Sequence, residues 1–318
     1  MDLMQSPFTS VIKSYAVELG FSKVGIARAE SLTEEGVKLR EWLAKGLHGS
    51  MQWMDRDVEK RIDPCLVFPQ AKSVVCVAMN YYSPEQHSDN LEIGKISRYA
   101  WGDDYHLIMT ERLEKLLDFI KSKIPEIKGK VYVDTGPMMD KVWAVRSGIG
   151  WMGKHSNVIT REYSSWVFLG EILLEVELDY DLPITDLCGT CTACLDACPT
   201  NAIVQPYVVD SNKCISYLTI EHRDELPKQL LPKFHQWVYG CDICQDVCPW
   251  NRFQKVTKES AFYPRNENIA PKLTELAEIS QEEFSRRFHR SSIKRTKQSG
   301  LTRNAKGVIE SGESSRRF

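Results

Sequence analysis

Apolar residues recur at helical spacing in three stretches of the N-terminal half. Residues 8–19 and 34–45 have this pattern, and residues 107–124 have it most clearly. The apolar positions of the third stretch share one face of a helix: Leu113, Leu116, Leu117, Ile120 and Ile124. Because proline cannot continue a helix, we expect this helix to end before Pro125.

Short runs rich in β-branched residues lie between these helices. They are residues 72–79 (KSVVCVAM), 130–134 (KVYVD) and 168–178 (FLGEILLEVEL). Apolar strands that alternate with helices predict a sheet covered by helices, in the α/β or α+β class.

The C-terminal part is helical and locally basic. The sequence pattern predicts a helix over residues 273–288. It predicts a frayed C-terminal end over residues 310–318 (ESGESSRRF). Residues 286–303 carry seven Lys or Arg side chains and no acidic residue. Such a stretch is typical of a nucleic-acid contact and equally of a solvated helix face, so charge alone leaves both open.

Composition excludes several classes of protein. Of the 318 residues, 42% are hydrophobic, so the chain is not wholly disordered or collagen-like. The net charge of −2 gives no global attraction to nucleic acid. The first ten residues lack the pattern of an export signal, and no apolar run approaches the roughly 20 residues of a membrane helix. We therefore predict a cytoplasmic protein with no membrane contact, in which thiols stay reduced.

Eight of the ten cysteines form two closely spaced runs and a single residue between them. Cys188, Cys191, Cys194 and Cys198, followed by Pro199, have the spacing of the bacterial ferredoxin motif. The second run contains Cys241, Cys244 and Cys248, again followed by proline, and Cys214 stands between the runs. The remaining two, Cys65 and Cys76, are predicted to be core thiols.

Eight thiolates are the number that two [4Fe–4S] clusters require. Because the last cysteine of such a run ligates the other cluster, cluster 1 takes Cys188, Cys191, Cys194 and Cys248. Cluster 2 then takes Cys198, Cys214, Cys241 and Cys244. Two structural zinc sites would also use eight cysteines, but the repeated Cys-x3-Cys-Pro ending favours the clusters. About 185 residues precede this module, so we expect the clusters to feed a redox site in the N-terminal domain.

Several blocks resemble the epoxyqueuosine reductase family. They are residues 96–106 (ISRYAWGDDYH), 133–137 (VDTGP), 148–157 (GIGWMGKHSN) and 239–251 (YGCDICQDVCPWN), together with the ferredoxin run. The resemblance covers residues 8–305. It implies an oxidoreductase that deoxygenates the epoxide of epoxyqueuosine at the wobble position of tRNA, the last step of queuosine biosynthesis. It also implies a cobalamin, two [4Fe–4S] clusters and a fold similar to that of the reductive dehalogenases.

The resemblance divides the chain into three parts. Residues 1–183 are expected to bind cobalamin and substrate, residues 184–258 to form the ferredoxin-like module, and residues 259–318 to form a basic helical segment that contacts tRNA. Longer members of the family continue into helical repeats, and residues 300–304 (GLTRN) look like the start of one. We therefore expect either a short form or a truncated chain.

The cobalamin is expected to be bound base-off, with no protein nitrogen on cobalt. The Asp-x-His-x-x-Gly loop that supplies such a ligand is absent, since Met109 stands where the segment that begins at Asp104 would need glycine. The residues that the resemblance implies for cobalamin are Ser97, Asp134, Lys141, His155, Asn157, Val158, Ser216 and Tyr217. Lys141 and His155 are equally compatible with an ordinary surface position.

The resemblance assigns the proton donor to Asp134, at the end of the predicted strand 130–134. A carboxylic acid in this role is expected to have a raised pKa. The simpler alternative is a helix cap or turn residue before Gly136. Tyr105 and His106 are secondary catalytic candidates, with a core tyrosine and a hydrogen-bonded structural histidine as the alternatives.

The resemblance also implies partners. The tRNA is expected to contact Arg286, Arg287, Lys294, Arg295 and Lys297, and a one-electron donor such as a flavodoxin or ferredoxin is expected to reduce the clusters. Nothing in the sequence suggests more than a monomer. Two other functions remain open, a reductive-dehalogenase-like enzyme for a small molecule and a non-catalytic electron carrier.

Overall fold

The structure, a computed structural model, describes residues 7–315. The strands in this part are β1 (Lys23–Arg28), β2 (Ser73–Asn80), β3 (Lys95–Ile96), β4 (Gly129–Tyr132), β5 (Trp151–Met152), β6 (Val158–Ile159), β7 (Val167–Leu174), β8 (Ile203–Gln205), β9 (Val208–Val209) and β10 (Trp237–Tyr239). The α-helices are α1 (Pro7–Glu18), α2 (Thr33–Ala44), α3 (Gln52–Asp55), α4 (Val58–Ile62), α5 (Tyr105–Lys123), α6 (Asp140–Arg146), α7 (Ala193–Asp196), α8 (Ile215–Ile220), α9 (Ile243–Asp246), α10 (Asn266–Ile269), α11 (Leu273–Glu278), α12 (Gln281–Arg287) and α13 (Lys297–Ser315).

A four-stranded antiparallel sheet organises the N-terminal half, in the order β1-β2-β7-β4. The three predicted strands are confirmed as β2, β4 and β7, although β7 ends at Leu174 rather than at residue 178. Strand β1 was not predicted, because Gly25 interrupts its short β-branched pattern. The antiparallel pairing makes this half an α+β arrangement.

Helices cover both faces of the sheet. On one face, α1 and α5 share a core with β2 and β7, and four of the five predicted stripe residues of α5 are buried in it: Leu113, Leu116, Leu117 and Ile120. On the other face, α6 places Trp143 against the opposite side chains of β2, among them Cys76. The sheet is therefore a rigid middle layer, and its strand ends position the loops beside it.

The C-terminal helices differ from the predicted pattern. The helix expected over residues 273–288 is two helices, α11 and α12, because the hydroxyl of Ser280 caps the start of α12 by accepting the N–H of Glu283. The frayed end expected from residue 310 is wrong as far as Ser315, since α13 continues to that residue. Leu301 and Ala305 anchor α13 in a buried core. Residues 316–318 lie outside the described part.

A second core joins the parts into which the sequence was divided. It contains Ile96 from the first predicted part and Trp237 from the second. Leu273 and Leu301, from the third part, belong to the same core. Strand β10 also pairs in parallel with β3. The three-part division stays a prediction, because a shared core does not mark a boundary. Within residues 7–315, none of the helices is both long and apolar enough to span a membrane.

A buried ion pair fixes the second cysteine run against the N-terminal half. Asp242 is buried next to Cys241, and its carboxylate accepts the backbone N–H of Arg98 at 2.8 Å and the hydroxyl of Ser97. The guanidinium of Arg98 lies 3.6 Å from the same carboxylate and 2.7 Å from that of Asp246. Burial raises the pKa of Asp242, although Arg98 and Ser97 act in the opposite direction.

The chain approaches itself closely beside this ion pair. Gly240 has φ +68°, and a Cβ at this position would lie 2.5 Å from the Cβ of Ser97. Glycine adopts this backbone conformation without a steric penalty. It therefore allows the segment that begins at Cys241 to lie directly against the 97–98 turn.

Substitution of Arg98 by Ala should destabilise the protein, because it leaves the Asp242 carboxylate buried without its cation. Removal of one partner of a buried ion pair costs about 3–5 kcal/mol. Arg28→Ala is a matched control, since its pair with Glu177 is mostly exposed (60% and 66%) and should contribute no more than about 1 kcal/mol. The measurement is the midpoint of thermal unfolding together with iron content. Equal midpoints for the two variants would contradict this role for Arg98.

Candidate active site

Asp134 lies on a tight turn two residues after β4 ends. Its φ is +56°, a conformation that Asp adopts more readily than most residues. The carboxylate is not a helix cap: its Oδ2 accepts the hydroxyl of Tyr105 at 3.0 Å and lies 3.3 Å from Nε2 of His106. Its side chain is 62% exposed, so a bound substrate can reach it. The interpretation of Asp134 as only a turn or cap residue is therefore incomplete.

The first turn of α5 supplies the groups around Asp134. Asp104 caps this helix by accepting the N–H of His106 at 3.1 Å, and the same Oδ1 lies 2.7 Å from Nδ1 of His106. The imidazole is therefore placed between two carboxylates. Tyr105 stacks on Phe168 of β7, with ring centroids 4.2 Å apart, and this contact fixes its hydroxyl toward Asp134.

These contacts determine where the proton lies. Burial alone would lower the pKa of His106, but hydrogen bonds with Asp104 and Asp134 outweigh it and raise the pKa to about 9. The hydrogen bond with His106 lowers the pKa of Asp134. The expected raised pKa of Asp134 is therefore wrong for the free protein, because a cationic imidazole adjoins the carboxylate. At neutral pH the proton that the two groups could exchange therefore resides on His106, and Asp134 is ionised.

A cavity of about 550 Å³ opens beside Asp134 and Tyr105. Its wall also contains all four cysteines predicted for cluster 2: Cys198, Cys214, Cys241 and Cys244. Apolar side chains such as Phe168 and Ile215 make up much of the rest. Volume and lining are those of a small-molecule or cofactor site. Acid–base groups and predicted electron carriers therefore face one space.

The other four cysteines also lie near one another. The thiol of Cys194 interacts electrostatically with Cys188, Cys248 and Cys191, and burial raises its pKa to about 11. The thiol of Cys244 interacts with Cys214 and Cys198, and then with Cys194 of the other group. The thiols that influence one another are therefore those of the two crossed sets, and the assignment of each set to a cluster stays a prediction.

Known proteins are similar to this chain in sequence. A family described as "Epoxyqueuosine reductase QueG, DUF1730" matches residues 61–135, and a 4Fe-4S double cluster binding domain matches residues 187–251. An epoxyqueuosine reductase from Cellulophaga algicola is 47% identical over 93% of this chain and 96% of its own length. The Escherichia coli epoxyqueuosine reductase is 42% identical over 89% of this chain and 76% of its own length.

This chain belongs to the epoxyqueuosine reductase family. A crystal structure of an epoxyqueuosine reductase with an epoxyqueuosine-modified tRNA-Tyr stem loop is also similar, with a TM-score of 0.89 and 35% identity. That match covers 94% of this chain and 80% of the other. The predicted fold class is confirmed, and so is the presence of a domain for two [4Fe–4S] clusters.

Most of the residues predicted for cobalamin lie on the cavity wall of this family member. Ser97, Asp134, Lys141, His155, Asn157 and Ser216 line the main cavity, whereas Val158 lines an adjoining space of about 80 Å³. Tyr217 does not line either space. Its hydroxyl bonds to the backbone N–H of Ser50 at 2.6 Å, and its ring packs in the second core. The prediction for Tyr217 is therefore corrected, because the turn of α8 directs its side chain away from the cavity.

Two polar groups on this wall have no protein partner in the described structure. Burial lowers the pKa of His155 to about 4, so the ring is neutral. Its Nδ1 accepts the N–H of Asn157 at 3.2 Å, which leaves Nε2 as a buried donor without a partner. The hydroxyl of Ser156 is also buried and unpaired. Beside them, the Nζ of Lys141 donates to the Ser156 carbonyl and the Asn157 side chain. Buried groups of this kind are expected where a polar ligand completes the site.

The basic residues predicted to contact tRNA differ in whether other protein groups already bind their charge. Arg295 donates two hydrogen bonds to Glu221, each at 2.8 Å, and Arg286 is paired with Glu283. Arg287 is mostly buried, and its guanidinium donates to the Glu267 carbonyl. Lys294 and Lys297 are exposed, and no ion pair joins them to another described residue. The charge available to a phosphate is therefore concentrated at the two lysines.

The structure adds polar residues that the sequence analysis missed. Tyr99, Asp140 and Gln245 line the cavity, and the carboxyl group of Glu171 is fully buried beside Asp140. Tyr99, Asp140 and Gln245 gave no pattern of their own. Glu171 could have been noticed in the sequence, because it is a single acidic residue in the middle of the apolar run of β7.

The ion pairs of His106 predict a pH-dependent stability. Since its pKa is raised from 6.5 to about 9, the stabilisation is complete below about pH 6.5 and is lost as the pH rises through 9. We expect His106→Gln to lower the thermal midpoint most near pH 6, and the difference from the unmodified protein to disappear toward pH 10. His289→Gln, at an exposed histidine, is the matched control and should show no such trend. A constant difference across this range would contradict the raised pKa.

Proposed function

We propose that this chain reduces epoxyqueuosine at the wobble position of tRNA to queuosine, the last step of queuosine biosynthesis. The observation that carries the proposal is the shared cavity, whose wall holds Asp134, Tyr105 and the four cysteines predicted for cluster 2. Family membership supports the substrate, because its relatives are epoxyqueuosine reductases and one was crystallised with a modified tRNA stem loop.

The reaction defines what the protein must supply. Conversion of the epoxide to an alkene breaks two C–O bonds, releases the oxygen as water and consumes two electrons and two protons. Oxygen that leaves carbon needs a proton from a positioned acid. Asp134 is accessible from the cavity, and His106 holds a proton within 3.3 Å of it. We assign proton delivery to this pair. Asp134 donates the proton to the substrate, and His106 then protonates Asp134 again.

Tyr105 is assigned to positioning and hydrogen bonding in the same step. Its hydroxyl donates to Asp134 at 3.0 Å, and the interaction keeps the carboxylate turned toward the cavity. Burial raises the pKa of Tyr105 well above its ordinary range, and the charge of Asp134 adds to this effect. The phenol therefore remains protonated and acts as a donor at neutral pH.

The two crossed sets of cysteines are assigned to cluster 1 and cluster 2 as predicted. In this arrangement the Cys188 set receives electrons from a one-electron donor such as a flavodoxin or ferredoxin. The Cys214 set delivers them at the cavity wall. The electrostatic interaction between Cys244 and Cys194 supports a short path between the sets.

We assign the cavity to cobalamin, because its wall combines polar groups with apolar side chains. Ser97, Lys141, Asn157 and Ser216 would supply polar contacts to it, and the buried Nε2 of His155 would offer a donor that no described residue uses. Val158 supplies an apolar contact from the adjoining space. When bound, cobalamin supplies a strong nucleophile or reductant that clusters alone do not provide.

The basic segment of residues 290–297 lies next to the proposed catalytic residues. The carbonyl of Arg290 accepts the N–H of Asp104, the cap of α5, at 2.7 Å. The carbonyl of Ser292 accepts the hydroxyl of Tyr239, which in turn accepts that of the cavity residue Tyr99 at 3.0 Å. Lysines on this segment can hold phosphates while a splayed base enters the cavity. We also propose that the enzyme is cytoplasmic, where its tRNA substrate is found, and that it acts as a monomer.

The decisive experiment follows the wobble nucleoside. Protein reconstituted with iron, sulfide and cobalamin is incubated with a strong one-electron donor and epoxyqueuosine-containing tRNA, which is then digested and analysed by mass spectrometry. We expect queuosine from the unmodified protein, and a loss of rate of about 10²–10⁴ for Asp134→Asn. Asp118→Asn, at an exposed position on α5, is the matched control and should react normally. Absence of queuosine with fully loaded unmodified protein would overturn the proposed function.

Binding of tRNA should depend on the two free lysines. Substitution of both Lys294 and Lys297 by Glu should weaken binding of the modified stem loop and reduce the slope of log Kd against log salt by about 1 for each phosphate that is no longer neutralised. Lys121→Glu, on an exposed turn of α5, should leave the slope unchanged. Arg295→Glu should have a smaller effect than either lysine, because Glu221 already occupies its guanidinium. An unchanged slope in the double-lysine variant would exclude this segment as the tRNA contact.

A further inference from the structure

Two carboxyl groups lie buried against each other beside the cavity. Glu171 is in the middle of β7 and has no exposed surface. Asp140 is the first residue of α6, which packs on the same face of the sheet, and it reaches the cavity wall. We call Asp140 and Glu171 the buried carboxyl pair. Glu171 itself does not line the cavity, so Asp140 separates it from bound ligands.

The buried carboxyl pair must contain a proton. In the described structure neither oxygen of Glu171 accepts a hydrogen bond from an N–H or O–H donor, and neither does Oδ1 of Asp140. The carboxyl groups of Asp140 and Glu171 nevertheless lie within hydrogen-bonding reach of each other. An ionised carboxylate can only accept, so one of the two groups is protonated. Burial raises the pKa of Glu171 well above its ordinary value, and the charge of Asp140 raises it further.

The surrounding charges indicate which group is protonated. The titratable or charged neighbours on the packed elements are Asp134, Cys76, Arg61 and Lys141. Both cations interact with Asp140. Among the described residues, those that influence Glu171 are Asp140, Asp134 and the thiol of Cys76, which lies directly opposite on β2. The proton therefore resides on Glu171, and Asp140 is the ionised member.

The pair also adjoins the proposed proton donor. The backbone N–H of Asp134 lies close enough to the Asp140 carboxylate to lower the pKa of Asp140, which burial otherwise raises. The cavity wall includes the side chains of both aspartates. A proton released from Glu171 thus has a short path through Asp140 to the place where substrate oxygen leaves.

This inference rests on the proposed function. We propose that the buried carboxyl pair stores the second of the two protons that epoxide deoxygenation consumes. The first proton leaves the His106–Asp134 pair as one C–O bond breaks. The second moves from Glu171 to Asp140 and on to the departing oxygen, which leaves as water when the other C–O bond breaks. The two electrons come from the clusters, and the pair takes up a new proton from solvent after product release.

The test uses Glu171→Gln in protein loaded with clusters and cobalamin. Glutamine has the shape and neutrality of the protonated glutamate but cannot release its proton. We expect kcat for queuosine formation to fall about a hundredfold, with KM for the modified tRNA and iron content unchanged. We also expect a changed solvent deuterium isotope effect, which a purely structural role would not alter. Glu175→Gln, the same substitution just after β7, should behave like the unmodified protein.

A second variant keeps the test decisive if Glu171→Gln is poorly folded. Asp140→Asn leaves Glu171 neutral but breaks its connection to the cavity, and should cause the same loss of kcat. Because residues on one path act as a unit, the double variant should be no slower than either single variant. A normal kcat for a folded Glu171→Gln, or losses that multiply in the double variant, would overturn the inference. Inactivity of the unmodified protein would instead count against the proposed function.

Discussion

The structure depends on how Arg98 meets the buried carboxylate of Asp242. This contact joins the segment after β3 to the segment that carries Cys241 and Cys244, and both partners are almost completely enclosed (3% and 1% exposed). A buried ion pair is costly to form and more costly to break, so it fixes position more than it adds stability. The rings of Trp101 and Trp166, each about 5.2 Å from the guanidinium, close the remaining space. Without this contact the cavity would lose one wall.

The contact between Arg98 and Asp242 brings acid–base groups and predicted electron carriers to one cavity. The antiparallel sheet and the first turn of α5 position the acid–base groups around Asp134, whereas the cysteine module brings the predicted electron carriers. Neither part contains a complete redox site. The cavity forms where they pack, and its buried, unpaired donors at His155 and Ser156 lie on the loop between β5 and β6. This division explains why a bare ferredoxin module would not perform the same reaction.

Sequence reasoning predicted those features that repeat or have fixed spacing. The apolar stripe of α5, the strands β2 and β7 and the two cysteine runs all follow from local patterns. The break at Ser280 and the extension of α13 did not, because caps and tertiary burial override helix periodicity there. Tyr217 was misplaced for a similar reason, since sequence adjacency to Cys214 does not say which way a helical side chain points. Asp140 and Glu171 could not be paired from the sequence, because their contact arises only when α6 packs on β7.

The wrong expectation for Asp134 shows what a single-residue argument leaves out. A raised pKa would be required if the carboxyl group acted alone in an apolar pocket. Here the neighbouring imidazole takes the proton and the aspartate stays ionised, so the pKa that matters belongs to the pair. The same reasoning applied to Asp140 and Glu171 gives the opposite result, because no cation within residues 7–315 contributes to the pKa of Glu171 and the proton stays on a carboxyl group. Environment, rather than residue type, therefore decides which of these acids is charged before the substrate arrives.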